Sequence, residues 1–164
     1  MSRRTRIIII ILIILIVIQF IQPPHNNGSA EAATDITHEV QIPDSVMKIL
    51  KVSCYDCHSN HTVYPWYSKI TPVNWWLNSH VNDGKRSLNF TTFTTYTFKK
   101  KAHRMNDVAE TIEKHEMPLN SYLWIHKDAI LSKQEEKTLI DWGHAASKKI
   151  MQDSILSERS KVKS

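Results

Sequence analysis

The only two cysteines in 164 residues are separated by two residues and followed directly by a histidine, in Cys54-Tyr55-Asp56-Cys57-His58. That spacing limits what the surrounding chain can be. Two thiols so placed can add to the two vinyl groups of a haem as thioethers, and the adjacent histidine can then meet the iron from one face. A structural zinc site takes four ligands, commonly a Cys pair and a His pair separated by a longer loop. Here His58 and His61 crowd the cysteines, His80 is the other candidate, and there is no second Cys pair. A redox-active dithiol needs a thioredoxin-like βαβ context, and no β-rich pattern is visible. A disulfide would close a very small loop and constrain little chain entropy. Covalent haem, one per chain, is the reading that fits best, with Cys54 and Cys57 carrying the thioethers and His58 as proximal ligand.

Haem attachment of this type takes place outside the cytoplasm in bacteria, and the N-terminus agrees. Arg3, Arg4 and Arg6 precede an apolar run from Ile7 to Ile21 broken only by Gln19. A basic flank before an apolar run is an export pattern. A spanning helix needs about 20 apolar residues, with about 17 as a lower limit, so the run falls between a long signal peptide and a short anchor. Small residues at Gly28-Ser29-Ala30 and Ala30-Glu31-Ala32 offer cleavage sites, although Pro23-Pro24 intervenes. The expectation is a transmembrane or signal helix over residues 1–22, an uncleaved anchor being favoured. The rest would lie in the bacterial cell envelope, either anchored to the inner membrane with a periplasmic domain or secreted to the periplasm.

The formal net charge of +5 does not describe a basic binding face. Residues 1–30 contribute +3, the segment from Lys148 to the end another +3, and residues 31–147 about −1. Nucleic acid is not an expected partner. Three glycines in the whole chain argue against Gly-rich nucleotide loops and turn-rich sandwiches. Residues 23–41 are small and polar without periodicity and read as a linker. Residues 42–151 suit one domain, and 152–164 form a basic tail, read as a frayed helix end.

Within the domain the pattern is all-α. Val46, Ile49 and Leu50 give a helical face leading into the cysteine motif. Thr71-Pro72 offers an N-cap and first-turn proline for a helix ended by Asp83-Gly84, with Val73, Trp76, Leu77, His80 and Val81 on one face. Residues 88–98 show no clean alternation and read as loop. Asn106 would cap a short helix carrying Val108, Ala109 and Ile112. Ser132-Lys133-Gln134-Glu135 is a capping box opening a helix with Leu139, Trp142, Gly143, Ala146 and Ile150 on its buried face. So small a core with so much loop needs a staple, and a covalent cofactor would be one.

A six-coordinate iron needs a second ligand. Met117, in a loop before Pro118, is the favoured candidate, since a thioether ligand raises the potential. His80, on an apolar helix face, is its rival, with core residue or haem-carboxylate partner as its other readings. Met105 reads as core, and His103, His126 and His144 as surface. Trp66, Trp76 and Tyr122 are candidate pocket walls; Lys85 and Arg86 read first as solvated loop charges, with pairing to haem carboxylates as the alternative. No G-x-S-x-G, HExxH or P-loop is present, so the chain reads as a non-enzymatic electron carrier working with redox partner proteins. The competing readings are a peroxidase or ligand sensor with a labile sixth site and, less favoured, a zinc-binding module.

CYDCHSN, then YPWYSKITPVNWWLNSHVNDGKRSLNF, then EMPLNSYLWIH, then AILSKQEEKTLIDW, resembles the small bacterial haem-binding domain proteins, which are one-haem, cytochrome c-like, exported and often membrane-anchored. The resemblance runs from about Ile42 to His144, with the YPWY, HV-x-x-GK and MPL segments in order. It implies thioethers at Cys54 and Cys57, proximal His58 and distal Met117. It matches His80 without assigning it a role, and it says little about physiological partners.

Overall fold

The computed structural model describes residues 1–29 and 32–162; both candidate cleavage sites include residues outside that set. The fold is all-helical, and no named strand occurs among the described residues. Among the described residues seven α-helices follow in order: α1 (Arg3–Ile18), α2 (Asp44–Ser53), the single-turn α3 (Tyr55–His58), α4 (Val73–Ser87), α5 (Phe98–Glu113), the single-turn α6 (Asn120–Leu123) and α7 (Lys133–Val162).

The core is built where α5 meets α7. Ala102, Met105, Ala109 and Ile112 face Leu139, Trp142, Ala146 and Ile150, all buried, with Met105 the core residue its spacing predicts. The two helices approach closely at Gly143, where a Cβ would stand 2.9 Å from the Met105 carbonyl. Val46, Ile49 and Leu50 of α2 close the same cluster. The capping box forms as expected: Glu135 accepts from the Ser132 backbone N–H at 2.9 Å, and the Ser132 hydroxyl accepts from the Glu135 N–H at 3.3 Å. Beyond it α7 continues as helix through Val162, where the sequence suggests a frayed end.

Several expectations are corrected. The segment 23–41 is no free linker. Ile36 is fully buried, Val40 nearly so, and both belong to the core cluster. Upstream, the Asn26 backbone N–H donates to the Tyr64 hydroxyl at 2.7 Å, its side chain donates to the Ser59 carbonyl at 2.9 Å, and Gly28 N–H donates to the Asn60 carbonyl at 2.7 Å. The polar residues of this stretch bind loop carbonyls instead of water, which hydropathy does not register.

The expected membrane-spanning helix is not there either. α1 has 16 residues, about 24 Å at 1.5 Å per residue, against about 30 Å of bilayer hydrocarbon. No helix among the described residues is long and apolar enough to cross a membrane. Just past α1, the Gln19 carboxamide donates to the Thr71 carbonyl at 2.9 Å and accepts from the Thr71 N–H at 3.0 Å. Thr71 therefore holds the N-terminal segment, and α4 opens at Val73 with no side-chain cap. α4 also passes through Asp83-Gly84 and ends at Ser87.

Residues 88–98, expected as loop, contain a 3-10 helix at Phe90–Thr95 with Phe90 and Phe93 buried. α5 begins at Phe98, capped by Thr97, and Asn106 lies inside it. α5 ends in a Schellman turn: the Glu116 N–H donates to the Thr111 carbonyl at 2.8 Å, and the His115 N–H to the Ile112 carbonyl at 2.9 Å. His115 occupies the left-handed position of that turn, φ 55°, where glycine is favoured. The His115→Gly variant is expected to gain about 0.5–1 kcal/mol, read as a raised urea midpoint at unchanged slope.

Candidate functional site

The cysteine motif is shaped by a helix that stops and restarts. The Cys54 N–H donates to the Leu50 carbonyl at 2.9 Å, completing α2. The backbone then breaks at Cys54, whose own carbonyl accepts from the Cys57 and His58 N–H groups at 3.2 and 2.9 Å. One tight turn thus gathers Cys54, Cys57 and His58. α4 lies directly against that turn. A Cβ at Gly84 would stand 2.5 Å from the Cys57 carbonyl oxygen, closer than atoms can pack. The glycine of the HV-x-x-GK segment is what lets α4 come this near.

His58 is held in one tautomer. Its Nδ1 lies 3.0 Å from the Leu88 carbonyl; a carbonyl only accepts, so Nδ1 carries the proton and donates. Nε2 keeps its lone pair free for a metal, the arrangement by which protein scaffolds orient histidine ligands. Burial pushes the imidazole toward its neutral form, against the carbonyls of Leu88 and Gly84, which act the other way. Phe90, at the start of the 3-10 helix, stacks on Tyr55 with ring centroids 5.1 Å apart and lies 6.2 Å from the His58 ring.

Both cysteines are free thiols. Burial, then the neighbouring Cys57, pushes Cys54 up to about 12; burial, then Asp56, pushes Cys57 up to about 11. A redox-active dithiol works with a lowered thiol pKa, and burial acts in the opposite direction here. No group of three or more His, Cys, Asp or Glu side chains is gathered to hold a metal ion among the described residues.

Three hollows with shared lining residues open beside Cys54, Cys57 and His58. The first, about 640 Å³ of open space, is lined by Cys54, His58, Met117 and Pro118 together with apolar residues such as Phe90, Val108 and Leu139. The second, about 910 Å³, shares those four and adds Cys57, His80 and Tyr122. The third, about 1380 Å³, is a more open apolar groove with Trp66, Trp76, His80 and Tyr122 in its walls. Cys54, Cys57, His58, His80, Met117, Trp66, Trp76 and Tyr122 each line at least one of these hollows. Met117 follows the Schellman turn, its N–H donating to the Thr111 carbonyl at 3.2 Å, and lines both hollows that His58 lines. His80 lies in the second and third, its Nδ1 donating to the Trp76 carbonyl at 2.8 Å. Trp66 and Trp76 are 73% and 46% exposed, so they border the open groove and do not enclose it.

Other expectations shift. His126, expected at the surface, is half-buried: its Nε2 is 2.8 Å from the Tyr67 hydroxyl and its ring stacks on Tyr122 at 4.0 Å. The Tyr122 hydroxyl donates to Asp56 Oδ2 at 2.9 Å, tying α6 to the residue between the cysteines. Lys85 is committed to Asn26, and Arg86, highly exposed, to Asp83; neither lines the hollows. Arg104 and Asp107 of α5 line the first hollow instead, and the sequence reading did not single them out.

The residues present fit a haem. A neutral, hydrogen-bonded histidine faces an apolar space beside two unpaired thiols, and a thioether lines the same space. The buried Nε of Arg104 lacks a partner in the protein. A family model described as haem-binding domain matches residues 13–145. No curated protein and no solved structure matches the chain.

Proposed function

The chain belongs to the haem-binding domain family, and from that membership we propose that it is a one-haem, cytochrome c-like electron carrier of the bacterial cell envelope, not an enzyme. In this reading Cys54 and Cys57 carry the haem as thioethers, His58 is the proximal ligand and Met117 the distal one. Haem bound there supplies a single one-electron couple between ferric and ferrous iron.

The observation that carries the reading is the Nδ1–H bond from His58 to the Leu88 carbonyl, which leaves Nε2 available in a space shared with Cys54 and Met117. The 3-10 segment after Leu88 and the close passage of α4 at Gly84 hold that imidazole in place. The apolar lining excludes water from the ring, and a thioether ligand favours the ferrous state. The basic flank and apolar helix at the N-terminus support export to the compartment where the attachment takes place. The open aromatic groove next to Cys57 would leave one edge of the ring within reach of redox partner proteins.

The test is ligation. In protein exported with haem maturation factors, the wild type should give a low-spin ferric spectrum with the long-wavelength band of sulfur ligation, unchanged by cyanide. Met117→Ala should lose that band, bind carbon monoxide when reduced and drop in potential, while His80→Ala keeps all three wild-type properties. Loss of the low-spin spectrum in His80→Ala but not in Met117→Ala would reverse the ligand assignment. An open sixth site in the wild type would favour a sensor or peroxidase over a carrier.

A further inference from the structure

We propose that Arg104 binds a carboxylate of the haem through its Nε–H, an assignment that rests on the haem reading above. A haem is an apolar disc with two anionic carboxylates on one edge, and a cation beside that edge would pair with them. Arg104 is the only lysine or arginine among the described residues lining the three hollows. It stands on the face of α5 formed by Arg104, Asp107, Val108 and Thr111, which lines the first hollow beside Cys54, His58 and Met117.

The hydrogen bonding of this side chain is incomplete. Nη1 donates to Asp107 Oδ2 at 2.8 Å, fixing one corner of the guanidinium. Nε is buried and has no partner, although the side chain as a whole is 28% exposed. A buried charged N–H without an acceptor is costly, and native proteins supply one. A planar guanidinium held at one corner presents its remaining N–H groups in the fork that recognises a carboxylate. Asp107, which lines the same hollow, accepts from Nη1 and so holds the guanidinium in place. Lys85 and Arg86 have other partners and lie outside the hollows.

The assignment is tested in the full-length, haem-loaded protein with Arg104→Gln, Arg104→Lys and Asp107→Asn. The readouts are the haem-carboxylate bending band in resonance Raman and the midpoint potential. Arg104→Gln should displace the band and lower the potential, because removing a nearby cation stabilises ferric over ferrous iron. Arg104→Lys should restore the potential in part while the band stays displaced, since an ammonium lacks the fork. Asp107→Asn, whose side-chain oxygen can still accept from Nη1, should move the band less than Arg104→Gln does. A band and potential in Arg104→Lys or Arg104→Gln that superimpose on the wild type would overturn the assignment. Should Arg104→Gln not accumulate, the Arg104→Lys band decides alone. A wild type without haem would sink the parent reading, whereas a haem-bearing wild type indifferent to Arg104 sinks only this one.

Discussion

Gly84→Val is expected to abolish the folded haem-loaded protein, and Gly84→Ala to damage it severely. Inside an α-helix, exchanging glycine for alanine ordinarily gains about 1 kcal/mol, so the propensity argument alone predicts a stabilised α4. Sterics decide the sign here. The new Cβ would meet the Cys57 carbonyl oxygen at 2.5 Å and its carbonyl carbon at 3.1 Å. Both are backbone atoms of the turn that carries the motif and cannot rotate away. Separating α4 from that turn would also pull Leu88 from His58. The expected cost is at or above the roughly 1–3 kcal/mol typical of overpacked interiors. Asn82→Ala, exposed on the same helix, is the control and should be neutral or slightly stabilising. Chemical denaturation and haem content per chain read both quantities. A Gly84→Ala protein as stable as Asn82→Ala would remove the close helix contact from the account.

Phe90→Ala should produce the other large effect. Phe90 is 1% exposed, stacks on Tyr55 and lines the first hollow. Truncating a buried phenylalanine costs about 3–5 kcal/mol. The loss has a second consequence particular to this place. The 3-10 helix that Phe90 anchors begins two residues after Leu88, whose carbonyl holds His58 Nδ1–H. Histidine orientation and global stability should therefore fall together, with a mixed-spin ferric spectrum in whatever protein survives. Phe93→Ala provides the comparison: Phe93 is equally buried but does not line the hollow, so it should lose stability with the spectrum of the remaining protein intact.

Both predictions fall where the sequence is least informative. The cysteine spacing, the capping box at Ser132, the buried face of α7 and the position of Met117 beside Pro118 are legible because each is a short pattern with a local physical cause. Residues 88–98 are not legible, because a 3-10 helix matches neither the period of an α-helix nor that of a strand. Residues 23–41 mislead for a different reason: Asn26 and Gly28 are bound to loop backbone, and only Ile36 and Val40 carry an apolar signal. Arg104 was hidden by the start of α5. With the helix opened at Asn106, only the core face is visible; once it opens at Phe98, the face bearing Arg104, Asp107, Val108 and Thr111 appears. His126 looked like a surface residue because its partners, Tyr67 and Tyr122, are brought to it by tertiary packing alone.

The central claim is covalent haem on Cys54 and Cys57, and the most direct measurement is the intact mass of the exported protein after denaturation and acid extraction of loosely held haem. The expected result is one haem retained per chain in the wild type, with the modified peptide spanning both cysteines, and none in the Cys54→Ser, Cys57→Ser double variant. A wild-type chain that folds but gives up all its haem to extraction would contradict the claim, leaving a haem-binding domain without thioethers.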